Sequence, residues 1–137
     1  MKDYIQMRDR DFVKTALFVL SCHMRMGERI SRSQLIEETL AKRPSGFFVS
    51  FTQALKIYSD FERHGLPAEP SMRQLMWMEL YRKVRAMLDE YPMMSVSKAM
   101  TEVLSHRRPS RYFISEPRAR KLLSGAVRIS KYLTAIS

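Results

Sequence analysis

The chain has a single cysteine, Cys22, among its 137 residues. An intramolecular disulfide is therefore excluded, and so is a metal cluster built from the cysteines of one chain. Glycine is scarce too, at four residues, which leaves no glycine-rich loop to cradle a phosphate group. Disulfide scaffolds and enzymes with such a phosphate loop do not fit this composition.

Long hydrophobic runs are also missing. Nearly uncharged stretches, such as the one around Ala16 to Met24 between Lys14 and Arg25, are shorter than the roughly 20 residues that a membrane-spanning helix needs. The N-terminal residues mix acidic and basic side chains, unlike the basic start of a secretory leader. We therefore expect a cytoplasmic protein with no membrane partner.

Catalytic constellations are lacking as well. The three histidines, His23, His64 and His106, have no metal-ligand spacing. Cys22 and His23 are adjacent, but successive helical residues point about 100° apart, so these two do not form a nucleophile and base. The sequence predicts no enzyme, no cofactor and no metal site.

An internal repeat organises what is present. At an offset of 64 residues, a helical pattern of serine, aliphatic and acidic residues at 31–40 falls on 95–104. At an offset of 65, the segment Arg43–Ser50 falls on Arg108–Ser115, and both read Arg-Pro-Ser-x-aromatic-Phe-aliphatic-Ser. We call these two the Arg-Pro-Ser segments.

Each repeat predicts three helices from its apolar spacing and capping residues. The first repeat predicts them at about 11–26 with Asp11 as cap, at 31–42, and from Ser50 to His64. The second predicts them at about 71–91, at 95–107, and from Ser115 towards Leu133 with a weak point at Ser124–Gly125. The predicted fold is all-α: a tandem duplication of a three-helix unit packed into one compact helical domain, with repeats at 1–64 and 72–137 and a linker at 65–71.

The Arg-Pro-Ser segments have two interpretations. Structurally, the proline ends a helix, the apolar residues anchor the chain, and the last serine caps the next helix. Functionally, Arg43 and Arg108 each precede a serine hydroxyl near a turn and are able to contact phosphate. Helix, connection and capped helix also resemble the helix-turn-helix of DNA readers, with the helices from Phe51 and Glu116 in the recognition position, although the connection exceeds that motif's three or four residues.

Charge is the stronger functional signal. Of the net +10, residues 104–137 carry +7, with eight Lys and Arg against Glu116. On the last predicted helix the basic residues fall on one side and the apolar residues on the other, which leaves a basic face for a polyanion. An acidic protein or a membrane surface would suit the same face.

We therefore predict a small basic accessory or regulatory protein that binds nucleic acid, and DNA in particular, through the phosphate backbone. The predicted contact residues are Arg43, Arg108, Arg111, Arg118, Lys121, Arg128 and Lys131. The alternative is a helical protein-interaction module without nucleic-acid contact, whose grooves include the methionine-rich region from Met72 to Met78.

Overall fold

The computed structural model describes residues 3–126 and residue 129. Within them the chain forms six α-helices and no strand, which confirms the all-α prediction. The helices are α1 (Tyr4–Arg25), α2 (Arg32–Leu40), α3 (Phe51–His64), α4 (Met72–Glu90), α5 (Val96–His106) and α6 (Glu116–Gly125). In the described part of the chain, no helix has the length and apolar character needed to cross a membrane.

Serine side chains begin every helix after the first. Each accepts a hydrogen bond from the backbone N–H three residues on, which satisfies a donor that the helix leaves unpaired. These caps are Ser31, Ser50, Ser71, Ser95 and Ser115. At Ser31 and Ser71 a glutamine returns the bond and completes a capping box. The caps predicted at Ser31, Ser50, Ser95 and Ser115 are confirmed.

The first helix begins earlier than predicted. α1 starts at Tyr4 rather than at Asp11, since nothing between them interrupts a helix. Asp11 lies inside α1, and its carboxylate accepts a hydrogen bond from the Tyr112 hydroxyl instead of capping the helix. The predicted stop at Gly27 is confirmed: its φ is +71°, and the N–H of Glu28 reaches back to the carbonyl of His23 at 2.9 Å.

The last helix ends at Gly125, at the predicted weak point. The expected continuation towards Leu133 falls outside the described residues, apart from Ile129, which is helical and buried. Two of the predicted contact residues, Arg128 and Lys131, also lie outside them.

The chain divides into two compact units. One comprises Met1–Ile5 and Ser45–Pro109, and the other comprises Gln6–Pro44 and Ser110–Ser137. We name them by their helices, the α3–α4–α5 unit and the α1–α2–α6 unit. The chain passes from one to the other inside each Arg-Pro-Ser segment, directly after the proline. Each unit thus combines the first two helices of one predicted repeat with the third helix of the other, so the units do not follow the repeat boundaries at 64 and 72.

The core of the α1–α2–α6 unit draws on all three helices. Its buried residues are Phe12, Ala16, Val19, Leu20, Ile30, Leu35, Ile36, Tyr112, Ile114, Ala119, Leu123 and Ile129. Tyr112 packs edge-on against Phe12 with ring centroids 5.3 Å apart. Its backbone N–H donates to the carbonyl of Leu40 at 3.0 Å, which satisfies an acceptor at the end of α2. The segment before α6 is therefore as much part of this core as α6 itself.

The α3–α4–α5 unit has a core of mixed aromatic and aliphatic side chains. Its buried hydrophobic residues are Phe47, Val49, Ala54, Tyr58, Met76, Trp77, Met78, Leu80, Val84, Ala99, Met100 and Val103. Met76 and Met78 of the methionine-rich stretch from Met72 to Met78 are thus buried in this core, whereas Leu75 in the same stretch is 37% exposed. Tyr81 lies on Tyr58 at 5.2 Å between ring centroids and donates a hydrogen bond to Glu62 at 3.0 Å.

Candidate nucleic-acid interface

The two Arg-Pro-Ser segments show the same alternation of burial. The arginine and the first serine are exposed, and the proline, the first aromatic residue and the aliphatic residue are buried in both. In each segment the chain passes from one unit to the other after the proline, and buried side chains lie on both sides of that point. This pattern is typical of a structural connection. Arg43 and Arg108 are exposed, yet neither is without a partner in the structure. The geometry thus supports the structural interpretation of these segments more directly than phosphate contact.

A helix-turn-helix is not formed at the first segment. Residues 41–50 separate α2 from α3, and the two helices lie in different compact units. The same division separates α5 from α6. Both connections are longer than the three or four residues of that motif's turn, so the resemblance does not extend to the structure.

The described part of α6 has the expected two-sided character. Ala119 and Leu123 are fully buried, whereas Arg118, Arg120 and Lys121 are exposed. Arg120 is paired with Glu116 at 3.0 Å and also donates to the Ser33 hydroxyl at 3.3 Å. Within the described residues, Lys121 makes no ion pair.

Arg118 is exposed, as predicted, but it also forms an ion pair with a buried carboxylate. Its Nη2 lies 2.7 Å from Oδ2 of Asp9, a carboxylate only 7% exposed, whose other oxygen accepts from Arg8 at 2.8 Å. Arg118 thereby ties the start of α6 to α1. Because this pair neutralises part of its charge, we assign Arg118 a positioning role rather than a contact with phosphate.

Arg111 is engaged as well. It is half-buried, its Nε donates to the backbone carbonyl of Tyr112 at 3.1 Å, and its guanidinium lies 5.7 Å from the centroid of the Phe113 ring. These contacts orient the segment ahead of α6.

A groove between α1 and α6 collects cations that the sequence analysis did not select. Its volume is about 650 Å³. Val13, Leu17, Leu122 and Ala126, all half-buried, form its floor, and the exposed side chains at its edges are Arg10, Lys14, Arg118 and Lys121, with Asp9 and Gln6 also lining it. Arg10 and Lys14 are four residues apart on α1 and so point the same way. That spacing was readable in the sequence and would have found them.

Charge is divided unequally between the two units. The ranges of the α1–α2–α6 unit hold fourteen Lys and Arg against six Asp and Glu, a net +8, of which Arg128 and Lys131 lie outside the described residues. The ranges of the α3–α4–α5 unit hold ten against eight, a net +2. The groove therefore lies in the unit that carries most of the protein's positive charge.

A histidine with two carboxylates joins α1 to α2 at the far end of the same unit. Nε2 of His23 lies 2.8 Å from Glu38, and Nδ1 lies 3.3 Å from Glu28. The hydrogen bond to Glu38 is the main cause of a raised pKa for His23, and Glu28 adds to it against the effect of burial. Glu38 thus connects α2 with α1. In the part of the chain that the structure describes, no three metal-ligating side chains meet in a metal site.

Comparisons with protein-family models, with curated proteins and with solved structures found no match to this chain.

Proposed function

We propose that this protein binds nucleic acid through the groove between α1 and α6. The observation that carries the proposal is the placement of Arg10, Lys14, Arg118 and Lys121 along one groove of a unit with net charge +8. Cations on both sides of a concave surface reinforce one another's potential and attract a polyanion before contact. Each phosphate that they neutralise releases condensed counterions, which drives binding at low salt.

Within this groove the side chains have different roles. Arg10, Lys14 and Lys121 contact phosphate, because they are exposed and make no ion pair within the described residues. Arg118 holds α6 against α1 through Asp9, and thereby sets the distance between the two rows of cations. DNA is the first candidate ligand, and the role is that of an accessory or regulatory protein in the cytoplasm.

We also infer that a three-helix unit was duplicated to produce this chain. Support comes from the starts of the second and third helices, which fall at equivalent positions: Arg32 and Val96 at an offset of 64, and Phe51 and Glu116 at an offset of 65. The compact units do not coincide with the two copies, since each unit joins helices of both, and the α1–α2–α6 unit carries most of the net charge. On this hypothesis the α1–α2–α6 unit binds the ligand.

The test is a titration of fluorescent DNA with protein purified after nuclease treatment in high salt. Affinity is measured between about 50 and 200 mM salt, where phosphate-driven binding falls steeply. A variant with Arg10→Gln, Lys14→Gln and Lys121→Gln is expected to bind more weakly, and the slope of log affinity against log salt should fall by about 0.9 for each lost contact with duplex DNA.

A matched control removes three charges from the other unit. Lys56, Arg63 and Arg82 are exposed residues of α3 and α4, and their change to glutamine lowers the net charge by the same amount. This control should bind nearly as the parent does. Equal losses in the two triple variants would contradict the groove, and failure of the parent to bind at about 50 mM salt would contradict nucleic-acid binding altogether.

The apolar floor of the groove favours one other candidate, an acidic amphipathic helix from a partner protein. Such a helix would lay its apolar side on Val13, Leu17 and Leu122 and its carboxylates against the cations. Much of its affinity would come from apolar contact and would persist at salt concentrations that abolish phosphate binding.

A further inference from the structure

An exposed aromatic side chain continues the row of cations on α1. Phe18 is 62% exposed, and it follows Lys14 by four residues as Lys14 follows Arg10. Residues at this spacing lie on the same side of a helix, and eight residues span about 12 Å along its axis. Arg10, Lys14 and Phe18 therefore form one stripe, with two cations followed by an aromatic ring.

The fold does not require an aromatic residue there. Phe12, the other phenylalanine of α1, is fully buried in the core, whereas Phe18 contributes little to it. At the equivalent position of α4, at an offset of 64, the chain has the exposed Arg82. Phe18 does not line the groove but lies one helical turn beyond Lys14, which does. An exposed ring that packing does not demand, at the end of this row of cations, points to a ligand with flat apolar faces and negative charge that extends past the groove.

Resting on the proposed function, we propose that the ligand of the groove is an unpaired strand of nucleic acid, with a base stacked on Phe18. Arg10, Lys14 and Lys121 hold phosphates. The floor of the groove, formed by Val13, Leu17, Leu122 and Ala126, accepts the faces of bases. A concave groove of about 650 Å³ has the size of a small-molecule site. It admits a few nucleotides of a single strand, whereas a duplex is read by a convex element inserted into its own groove.

Stacking on an aromatic ring is available to every base, because each base has a π-face. Phe18 therefore adds affinity for an unpaired strand without selecting a sequence. A duplex keeps its bases stacked on one another and offers none of them to the ring. The structure thus assigns to Phe18 the discrimination between unpaired and paired nucleic acid, and to the cations the affinity common to both.

The experiment uses the full chain with three labelled probes of one sequence: a 15-nucleotide DNA strand, the same strand as RNA, and the DNA duplex. Phe18→Leu keeps an apolar side chain but removes the ring. It should weaken binding to the single strands by roughly tenfold or more, leave duplex binding unchanged, and leave the salt slope unchanged because no charge is lost. Phe18→Trp should retain the parent's affinity.

Phe51→Leu is the matched control, since Phe51 is 41% exposed on α3. It should bind all three probes as the parent does, and circular dichroism should show equal helicity for all variants. A tighter complex with either the DNA or the RNA strand supports the inference and identifies the strand.

Two results would overturn the inference. Equal affinity for strand and duplex, unaffected by Phe18→Leu, would reject the unpaired strand and leave the proposed nucleic-acid function standing. Absence of binding to any probe at about 50 mM salt, with capture of an acidic amphipathic peptide instead, would reject both.

Discussion

The two compact units contain three helices each but are assembled differently along the chain. The helices of the α3–α4–α5 unit come from one continuous segment, Ser45–Pro109, whereas the α1–α2–α6 unit joins two segments on either side of it. Closing a contact over so long an intervening stretch costs chain entropy that a continuous unit does not have to overcome. The unit that contains the groove between α1 and α6 is thus the one whose formation depends on the more distant contact.

The contacts that hold α6 in one unit also differ from those that hold α3 in the other. α6 is held by an apolar cluster and by the pair of Asp9 with Arg118. α3 is held to α4 by the contact of the tilted rings of Tyr58 and Tyr81 and by Arg85. Arg85 lies 3.5 Å from Glu62 and donates to the Tyr58 hydroxyl at 3.4 Å. Each unit contains three helices, but different kinds of side-chain contact stabilise their packing.

Fragments of the chain should show the largest difference between the two units. Residues 45–109 contain every helix of a compact unit and should fold with a buried Trp77, the only tryptophan in the chain. Residues 1–64 keep α1 and α2 but lack α6, which exposes their apolar faces. That fragment should be unfolded or self-associated, as circular dichroism and size-exclusion chromatography would show. A monomeric, cooperatively melting 1–64 fragment would contradict this dependence on α6.

Truncation of one core leucine in each unit should show a smaller difference between the units in urea unfolding. Leu123 of α6 and Leu80 of α4 are both almost fully buried, and each change to alanine should cost about 2 to 5 kcal/mol. Trp77 emission reports on the α3–α4–α5 unit alone, so Leu80→Ala should shift the transition that it follows more than Leu123→Ala does. Equal shifts in urea unfolding followed by Trp77 would show that the units unfold as one.

Arg118 and Lys121 of α6 should differ in their effect on the free energy of unfolding, because only Arg118 has a positioning role. Arg118→Gln removes a partner of the buried Asp9 and should lower the unfolding free energy by about 1 to 2 kcal/mol. Lys121→Gln removes an exposed charge without an ion pair among the described residues and should change it by less than about 0.5 kcal/mol. Urea denaturation of the two variants tests this. A fully stable Arg118→Gln would contradict the positioning role.

The smallest effect concerns pH. Because the pKa of His23 is raised in the folded chain, its contribution to stability is complete below about pH 6.5, the unfolded value. It is lost as the pH rises through the folded value. His23→Gln should flatten this part of the stability profile, and NMR titration of the ring should show the raised pKa. An ordinary His23 titration would refute the bridge to Glu38 and Glu28.

Local features of the fold were predictable from the sequence, because their causes are local. Each serine cap depends on residues within one turn, and the stop at Gly27 depends on a left-handed backbone that glycine adopts readily. The basic side of α6 followed from its helical spacing. The contribution of α1 to the groove was missed because charge was counted along the chain, where the acids of α1 mask Arg10 and Lys14.

The grouping of α6 with α1 and α2, and of α3 with α4 and α5, was beyond sequence reasoning, because α3 and α6 begin with the same capped pattern. Side-chain pairing across the helices supplies a physical reason for it. At the repeat offsets, Asp9 corresponds to Arg73 and Arg118 corresponds to Gln53. If α3 packed with α1 and α2, Asp9 would oppose Gln53. If α6 packed with α4 and α5, Arg73 would oppose Arg118. The observed arrangement gains an ion pair and avoids a like-charge contact.

The crossings at Pro44 and Pro109 bear on how the chain emerges from the ribosome. Between the end of the first segment and the return of the chain at Ser110 lie 65 residues, which take roughly 3 to 13 seconds to synthesise at about 5 to 20 residues per second. During that interval α1 and α2 have been made but their partner has not, so Phe12, Leu35 and Ile36 remain open to chaperones and to other nascent chains. The helices translated first are the last to be buried, and the continuous unit is complete before them.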